Sequence, residues 1–119
     1  MRRLAGAVAI VAAPALCAGC GGGAGGVASE SPVDTTRVDM PPHYRFDPAA
    51  VRVPAGATVT WTNTDDFTHT VRVDTAGAEP HTVSPGDSLR LTFERAGEYD
   101  YVCTLHPHDM RGRVVVTEP

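Results

Sequence analysis

After Pro32 the chain shows no apolar repeat near 3.6 residues. Its hydrophobic positions fall in short β-branched and aromatic runs broken by Gly and Pro. Such runs read as strands joined by turns rather than as helices. Thr35 to Met40 is the first, stopped by Pro41-Pro42. Val51 to Val53 is brief, and Pro54-Ala55-Gly56 turns the chain into Thr58-Val-Thr-Trp-Thr62. Thr70 to Asp74 alternates apolar and polar positions, and so does Ser88 to Phe93, which puts Leu89, Leu91 and Phe93 on one face. Between them, Ser84-Pro85-Gly86-Asp87 has Pro and Gly where a type II turn wants them. Ala96-Gly97 reverses the chain into Glu98 to Cys103, where a period of two gathers Tyr99, Tyr101 and Cys103. Gly112 to Thr117 supplies a closing strand. The pattern predicts an all-β Greek-key sandwich of about seven to eight strands, antiparallel in its pairing.

Gly97-Glu98-Tyr99 also resembles the tyrosine corner of such sandwiches. The rest of the chain divides differently. Met1-Arg2-Arg3 is a positive start, Leu4 to Leu16 is a small-residue apolar run too short to span a bilayer, and Cys17-Ala-Gly-Cys20 follows. That order reads as a secretory signal over residues 1–19. Its end is similar to a bacterial lipoprotein signal, in which a small pair precedes an acylated cysteine; Cys20 is the residue that would carry the lipid. Leu16 stands one place earlier than that pattern prefers, with Cys17 in its stead. Residues 20–32, rich in Gly, Ala and Ser, read as a flexible tether. The folded domain is expected over residues 33–119, enough for two packed layers.

Cysteine usage sharpens this picture. With Cys17 removed and Cys20 acylated, Cys103 would be alone in an oxidising compartment, unable to form an internal disulfide. A solitary thiol there is expected to be buried or metal-bound. The chain has no Lys, and losing Arg2 and Arg3 would take its formal charge from −4 to −6. Such a domain is not suited to nucleic acid, and a charged docking partner should be positive.

The chemistry is concentrated near the end. Cys103-Thr-Leu-His106-Pro-His-Asp-Met110 places a thiol, an imidazole and a thioether within one short segment, and His69 in Phe67-Thr-His69-Thr-Val71 can reach them if the chain folds back. One Cys, two His and one weakly bound Met form the donor set of a mononuclear type 1 copper centre. Thiolate and thioether suit reduced copper, and imidazole suits both oxidation states. Taken singly, each residue has a plainer reading: His69 as a half-buried histidine, Cys103 as a small hydrophobe, Met110 as core. Their conjunction favours copper. Met40 and Trp61 read as core, His43 and His81 as solvated loop residues, and Asp65-Asp66 as solvated surface.

From Phe46 onward the chain resembles a cupredoxin of the plastocyanin, amicyanin and pseudoazurin group. The matching segments are Phe46-Asp-Pro48, Val53-Pro-Ala-Gly56, Val59-Thr-Trp-Thr-Asn63-Thr-Asp65, His69-Thr-Val71 and Tyr99-Asp-Tyr-Val-Cys103-Thr-Leu-His106. The tail Met110-Arg-Gly-Arg-Val-Val-Val116 is most similar to amicyanins. The resemblance implies one type 1 copper ion, held at the positions of His69, Cys103, His106 and Met110, and one-electron transfer without catalysis. One departure stands out. Amicyanins leave two residues between the loop histidine and methionine and plastocyanins four, whereas Pro107, His108 and Asp109 make three here. Azurins also have three, but separate Cys and His by four, the spacing of Cys103 to His108. Choosing His108 would leave only Asp109 before Met110, so His106 is the expected ligand. The expected protein is a monomeric electron carrier, exported and lipid-anchored on the outer, periplasmic or extracytoplasmic face of the cytoplasmic membrane, serving redox partner proteins. The alternative is a copper-binding and delivery protein.

Overall fold

The structure, a computed structural model, describes residues 30–119. The expected signal peptide, Cys20 and most of the expected tether lie outside the described residues. Nine strands are found among the described residues: β1 (Val33–Asp34), β2 (Arg37–Met40), β3 (Ala50–Pro54), β4 (Ala57–Asn63), β5 (His69–Val73), β6 (His81–Val83), β7 (Ser88–Phe93), β8 (Gly97–Val102) and β9 (Arg111–Thr117). They form a six-stranded sheet ordered β1-β3-β9-β8-β5-β6 and a three-stranded sheet ordered β2-β4-β7. Among the described residues no helix is long and apolar enough to cross a membrane.

The all-β expectation holds, with two short strands added. The strand expected over Thr35 to Met40 is shortened to Arg37–Met40 and preceded by the separate β1, because the chain leaves the larger sheet after Asp34 and enters the smaller one at Arg37. His81 opens β6 rather than lying in a loop, although it is exposed as expected. The pairing also differs from the antiparallel expectation: β1 with β3, β2 with β4 and β3 with β9 are parallel. The corner at Ala55-Gly56 explains how. The Ala55 amide donates to Thr117 of β9, and the next amide, of Gly56, donates to Phe93 of β7. The chain thus changes sheets instead of folding back as a hairpin, leaving β3 beside β9 in the same sense.

The core lies between the sheets. Val38, Met40, Val59 and Trp61 from one side meet Val51, Val71, Tyr101, Val114 and Val116 from the other. Strand β7 turns Leu89, Leu91 and Phe93 towards the core, with Phe93 buried, and β8 sends Tyr99 and Tyr101 inward as the alternation required. Two turns follow their sequence signals. Gly86 adopts φ 86°, and the Asp87 amide donates to the Ser84 carbonyl at 2.9 Å. Tyr99 Oη donates to the Arg95 carbonyl at 2.8 Å, the upstream bond of a tyrosine corner.

Tyr101 organises the end of the sandwich nearest Cys103. Its ring meets Trp61 and Phe46 edge-on at centroid distances of 5.2 and 4.7 Å. Its hydroxyl donates to the Ala49 carbonyl at 3.3 Å, and burial pushes its pKa above the ordinary tyrosine value. The ring passes directly over Gly112, where a Cβ would come within 2.2 Å of Tyr101 Cζ. Gly112 is therefore glycine for space.

Candidate metal centre

His69 is the first residue of β5, and Cys103 directly follows β8. These strands are adjacent and antiparallel, with Arg72 opposite Val102, so their register brings His69 and Thr70 alongside Cys103 and Thr104. His69, Cys103 and Met110 are completely buried. His69 Nδ1 lies 3.9 Å from Cys103 Sγ. Its Nε2 lies 2.9 Å from Asp65 Oδ2. A buried carboxylate there accepts the Nε2 proton, which leaves the Nδ1 lone pair facing sulfur.

Asp65 corrects the expectation of a solvated acidic pair: Asp66 is exposed, but Asp65 is only 7% exposed. Asn63, also buried, folds the chain so that this happens. Its side-chain amide donates to the Phe67 and Val83 carbonyls at 2.8 and 2.9 Å, and its oxygen accepts the Asp65 amide at 2.9 Å. The hydrogen bond from His69, assisted by the Asp66 amide, holds the Asp65 carboxyl below its ordinary pKa against the opposing effect of burial. Strand β6 completes this side, with Val83 paired to His69.

The thiol has its own hydrogen-bonding surroundings. The Thr70 amide donates towards Sγ at 3.4 Å, and the Thr70 hydroxyl lies 3.7 Å from it. The same hydroxyl accepts the Thr104 amide at 2.7 Å and meets the Thr104 hydroxyl at 2.7 Å. This clasp fixes the start of the β8–β9 loop.

Backbone bonds shape the remainder of that loop. The His106 amide donates to the Cys103 carbonyl, the Met110 amide to the His106 carbonyl, and the Cys103 amide to the Met110 carbonyl, at 2.9–3.1 Å. Cys103, His106 and Met110 are thereby tied into one turn, whereas His108 remains exposed at its outer edge. The His106 ring stands 5.9 Å from that of His69 and 4.2 Å from that of Tyr44. Phe67 and Leu105 add exposed apolar surface, at 60% and 53%.

The donor set fits a metal on one side and nearly so on the other. Metal–nitrogen and metal–sulfur bonds of about 2.0 and 2.3 Å together span at most about 4.3 Å. The gap between Nδ1 and Sγ is shorter, so both atoms could bind the same ion. Rings sharing an ion through such bonds have centres up to roughly 6 Å apart. The pair His69 and His106 stands at the far end of that range. Among the described residues, accordingly, no three His, Cys, Asp or Glu side chains are already grouped tightly enough to hold an ion unaided. The inner pair is close enough to share one ion, and the outer imidazole stands at the limit of reach.

Comparison with known proteins decides the family. A family model described as cupredoxin-like domain matches residues 7–116. The chain belongs to the cupredoxin-like domain family. It is similar to amicyanin-alpha of Methylorubrum extorquens, 37% identical over 98% of this chain and 99% of that one. The amicyanin of Paracoccus versutus superposes with a TM-score of 0.64 at 30% identity, covering 76% of this chain and 88% of that one. A purple cupredoxin from Nitrosopumilus maritimus superposes with a TM-score of 0.61 at 27% identity, covering 70% of this chain and all of that one. This cupredoxin also contains features that its sequence did not announce. They are Asp65 beneath His69, the Thr70–Thr104 clasp, and Tyr44 against His106. A signal existed for the first, since Asn63 and Asp65 stand in one of the family-like segments four residues ahead of His69; nothing in the sequence marked Tyr44.

Proposed function

We propose that this cupredoxin is a blue copper electron carrier whose ion would be held by His69, Cys103, His106 and Met110. The observation that carries the reading is His69 Nδ1 facing Cys103 Sγ at 3.9 Å while Nε2 is tied to Asp65. A cation would suit an imidazole lone pair and a sulfur that face each other in a buried site. Bound copper supplies a one-electron couple between Cu⁺ and Cu²⁺. The chain's part is to keep the donors still. Asp65 fixes the His69 tautomer and ring plane, Thr70 directs its amide at the sulfur, and the sandwich resists displacement of either strand. Such rigidity suits a carrier, and no substrate pocket is required of it.

The same proposal places the protein outside the cytoplasm. An Ala18-Gly19-Cys20 ending followed by a Gly-rich stretch supports a lipid on Cys20, which would tether the domain to the outer face of the cytoplasmic membrane. Its partners are redox proteins, one donating an electron and one accepting it. A mature charge of −6 favours partners with a positive docking face.

Copper loading tests the site directly. The oxidised protein should show an intense thiolate-to-copper band at the red end of the visible spectrum, and Cys103→Ser should lose it while keeping the β-sheet circular dichroism. Weak d–d bands alone would favour copper delivery, and an intense band surviving Cys103→Ser would overturn the thiolate assignment. The anchor is tested separately by mass analysis of the mature N-terminus, where absence of lipid would remove it.

A further inference from the structure

The two histidines are held by different means. Both ring nitrogens of His69 have partners, whereas the His106 ring has no hydrogen bond to any side chain or carbonyl among the described residues. Metal-bound histidines ordinarily have their outer nitrogen fixed by a carboxylate, carbonyl or water. No carboxylate or carbonyl among the described residues does so for His106; its nearest ring is that of Tyr44, with centroids 4.2 Å apart and planes inclined at 44°.

Tyr44 is delivered there by an unusual stretch of backbone. His43 and Tyr44 have φ of 85° and 54°, a left-handed conformation that is unfavourable for residues with a Cβ and persists only when surroundings enforce it. Those surroundings are visible. The neck of the loop is closed by Asp39 and Asp47, whose amides donate to each other's carbonyls at 2.8 Å. Just inside the neck, Met40 and Phe46 are buried at 0% and 3% exposure, and Phe46 packs against Tyr101. Arg45 Nε donates to the Pro42 carbonyl across the tip at 3.3 Å. A loop anchored at both feet and strained at its tip therefore presents one aromatic ring to one imidazole.

We propose that Tyr44 is the positioning residue for His106, fixing by a tilted ring contact the imidazole that lacks a hydrogen-bonding protein partner among the described residues. This rests on the reading of His106 as a metal ligand. An imidazole bonded to a cation gains positive character, and the electron-rich face of a tyrosine attracts it. Tyr44 therefore stabilises His106 in the bound orientation and shields it from competing small ligands. The contact does not need the phenolic hydroxyl, so phenylalanine should replace tyrosine without loss.

The test uses the full chain with Tyr44→Ala and Tyr44→Phe. In the metal-free protein, the His106 ring protons should carry an aromatic ring-current shift in NMR. Tyr44→Ala should abolish that shift, and Tyr44→Phe should keep it. In the copper-loaded protein, a chelator should strip Tyr44→Ala about 10-fold faster or more, the lower end of what outer partners of metal-bound histidines contribute, while Tyr44→Phe stays near the wild type. Unchanged His106 resonances or an unchanged stripping rate in Tyr44→Ala would overturn the proposal. So would a Tyr44→Phe protein that behaves like Tyr44→Ala. His106→Ala serves as the separate arm. If it leaves the copper spectrum intact, the ligand reading fails and this proposal with it; if it collapses the spectrum while Tyr44→Ala changes nothing, only the role of Tyr44 is lost.

Discussion

The inner and outer sides of this site are built on opposite plans. Inside, His69, Cys103, Asp65 and Thr70 are all buried, and hydrogen bonds run from Asn63 through Asp65 to His69 and from Thr104 through Thr70 to the thiol. Outside, His106 is half-buried, His108 is exposed, and beyond Thr104 the loop is shaped by backbone turns and by the ring contacts of His106. The contrast matches what electron transfer requires. Donors must not move when the charge changes, yet one of them must come close to the surface for a partner to reach. A wholly buried site would be rigid but isolated, and a wholly exposed one would be accessible but loose.

Replacing the outer histidines gives the largest expected effect and decides the register of the loop. His106→Ala removes a strong donor and should abolish the intense absorption or make it depend on added imidazole. His108→Ala should leave the spectrum nearly unchanged, because His108 lies at the exposed edge of the turn that ties Cys103 to Met110. The reverse result would mean that the loop binds copper with the wider Cys-to-His spacing.

The inner side should respond next most strongly. Asp65→Ala leaves the His69 Nε2 proton without its buried acceptor, and the ring loses both its fixed tautomer and its fixed plane. Copper affinity should fall by about 10- to 100-fold, measured by competition with a chelator of known strength. An affinity within twofold of the wild type would show that strand pairing alone orients His69.

How much of this contrast could be read from the sequence follows from what a pattern records. The trio Cys103, His106 and Met110 is local in sequence, and one short turn brings it together. The alternation in β7 and β8 likewise fixed which side chains faced the core. The parallel pairs were invisible, since alternation gives the face of a strand but not its neighbour. Strand β6 escaped because two of its three residues are exposed and Pro80 precedes it; only Val83 points inward. Asp65 was misread because an acidic doublet is usually solvated, and its burial depends on three hydrogen bonds made by Asn63. Tyr44 needed the backbone itself, as nothing about Pro42-His43-Tyr44 announces two successive left-handed residues.

A smaller effect should come from the clasp. Thr70→Val keeps the shape of the side chain but removes the acceptor of the Thr104 amide. Leaving that partly buried donor unsatisfied should lower stability by about 1–3 kcal/mol in urea unfolding of the metal-free protein. The thiolate band should shift as well, because the hydroxyl also borders Sγ at 3.7 Å. A stability change below about 0.5 kcal/mol, the range of ordinary surface substitutions, would mean that water replaces the hydroxyl and that the clasp does not hold the loop.

The smallest effect belongs to a pair remote from both sides of the site, which tests whether the site is separable from the rest of the sandwich. Arg52 Nε and Nη2 donate to the two oxygens of Asp34 at 2.7 and 3.1 Å, pinning the edge strand β1 to β3. The hydrogen bond to Arg52, and then its charge, lower the Asp34 pKa from the ordinary 3.8. A carboxyl lowered by folding adds stability that is complete above 3.8 and is lost as pH falls through its lowered folded value. Both groups are exposed, so the contribution is small and salt should screen it. Arg52→Ala should therefore lower the melting temperature slightly at neutral pH and low salt, with the difference vanishing in acid or in high salt. The copper spectrum should not change under any of these conditions. A spectral change in Arg52→Ala would mean that the edge of the larger sheet is coupled to Cys103 through β3, β9 and β8, and the inner side of the site would then owe its rigidity to the whole sheet rather than to its own hydrogen bonds.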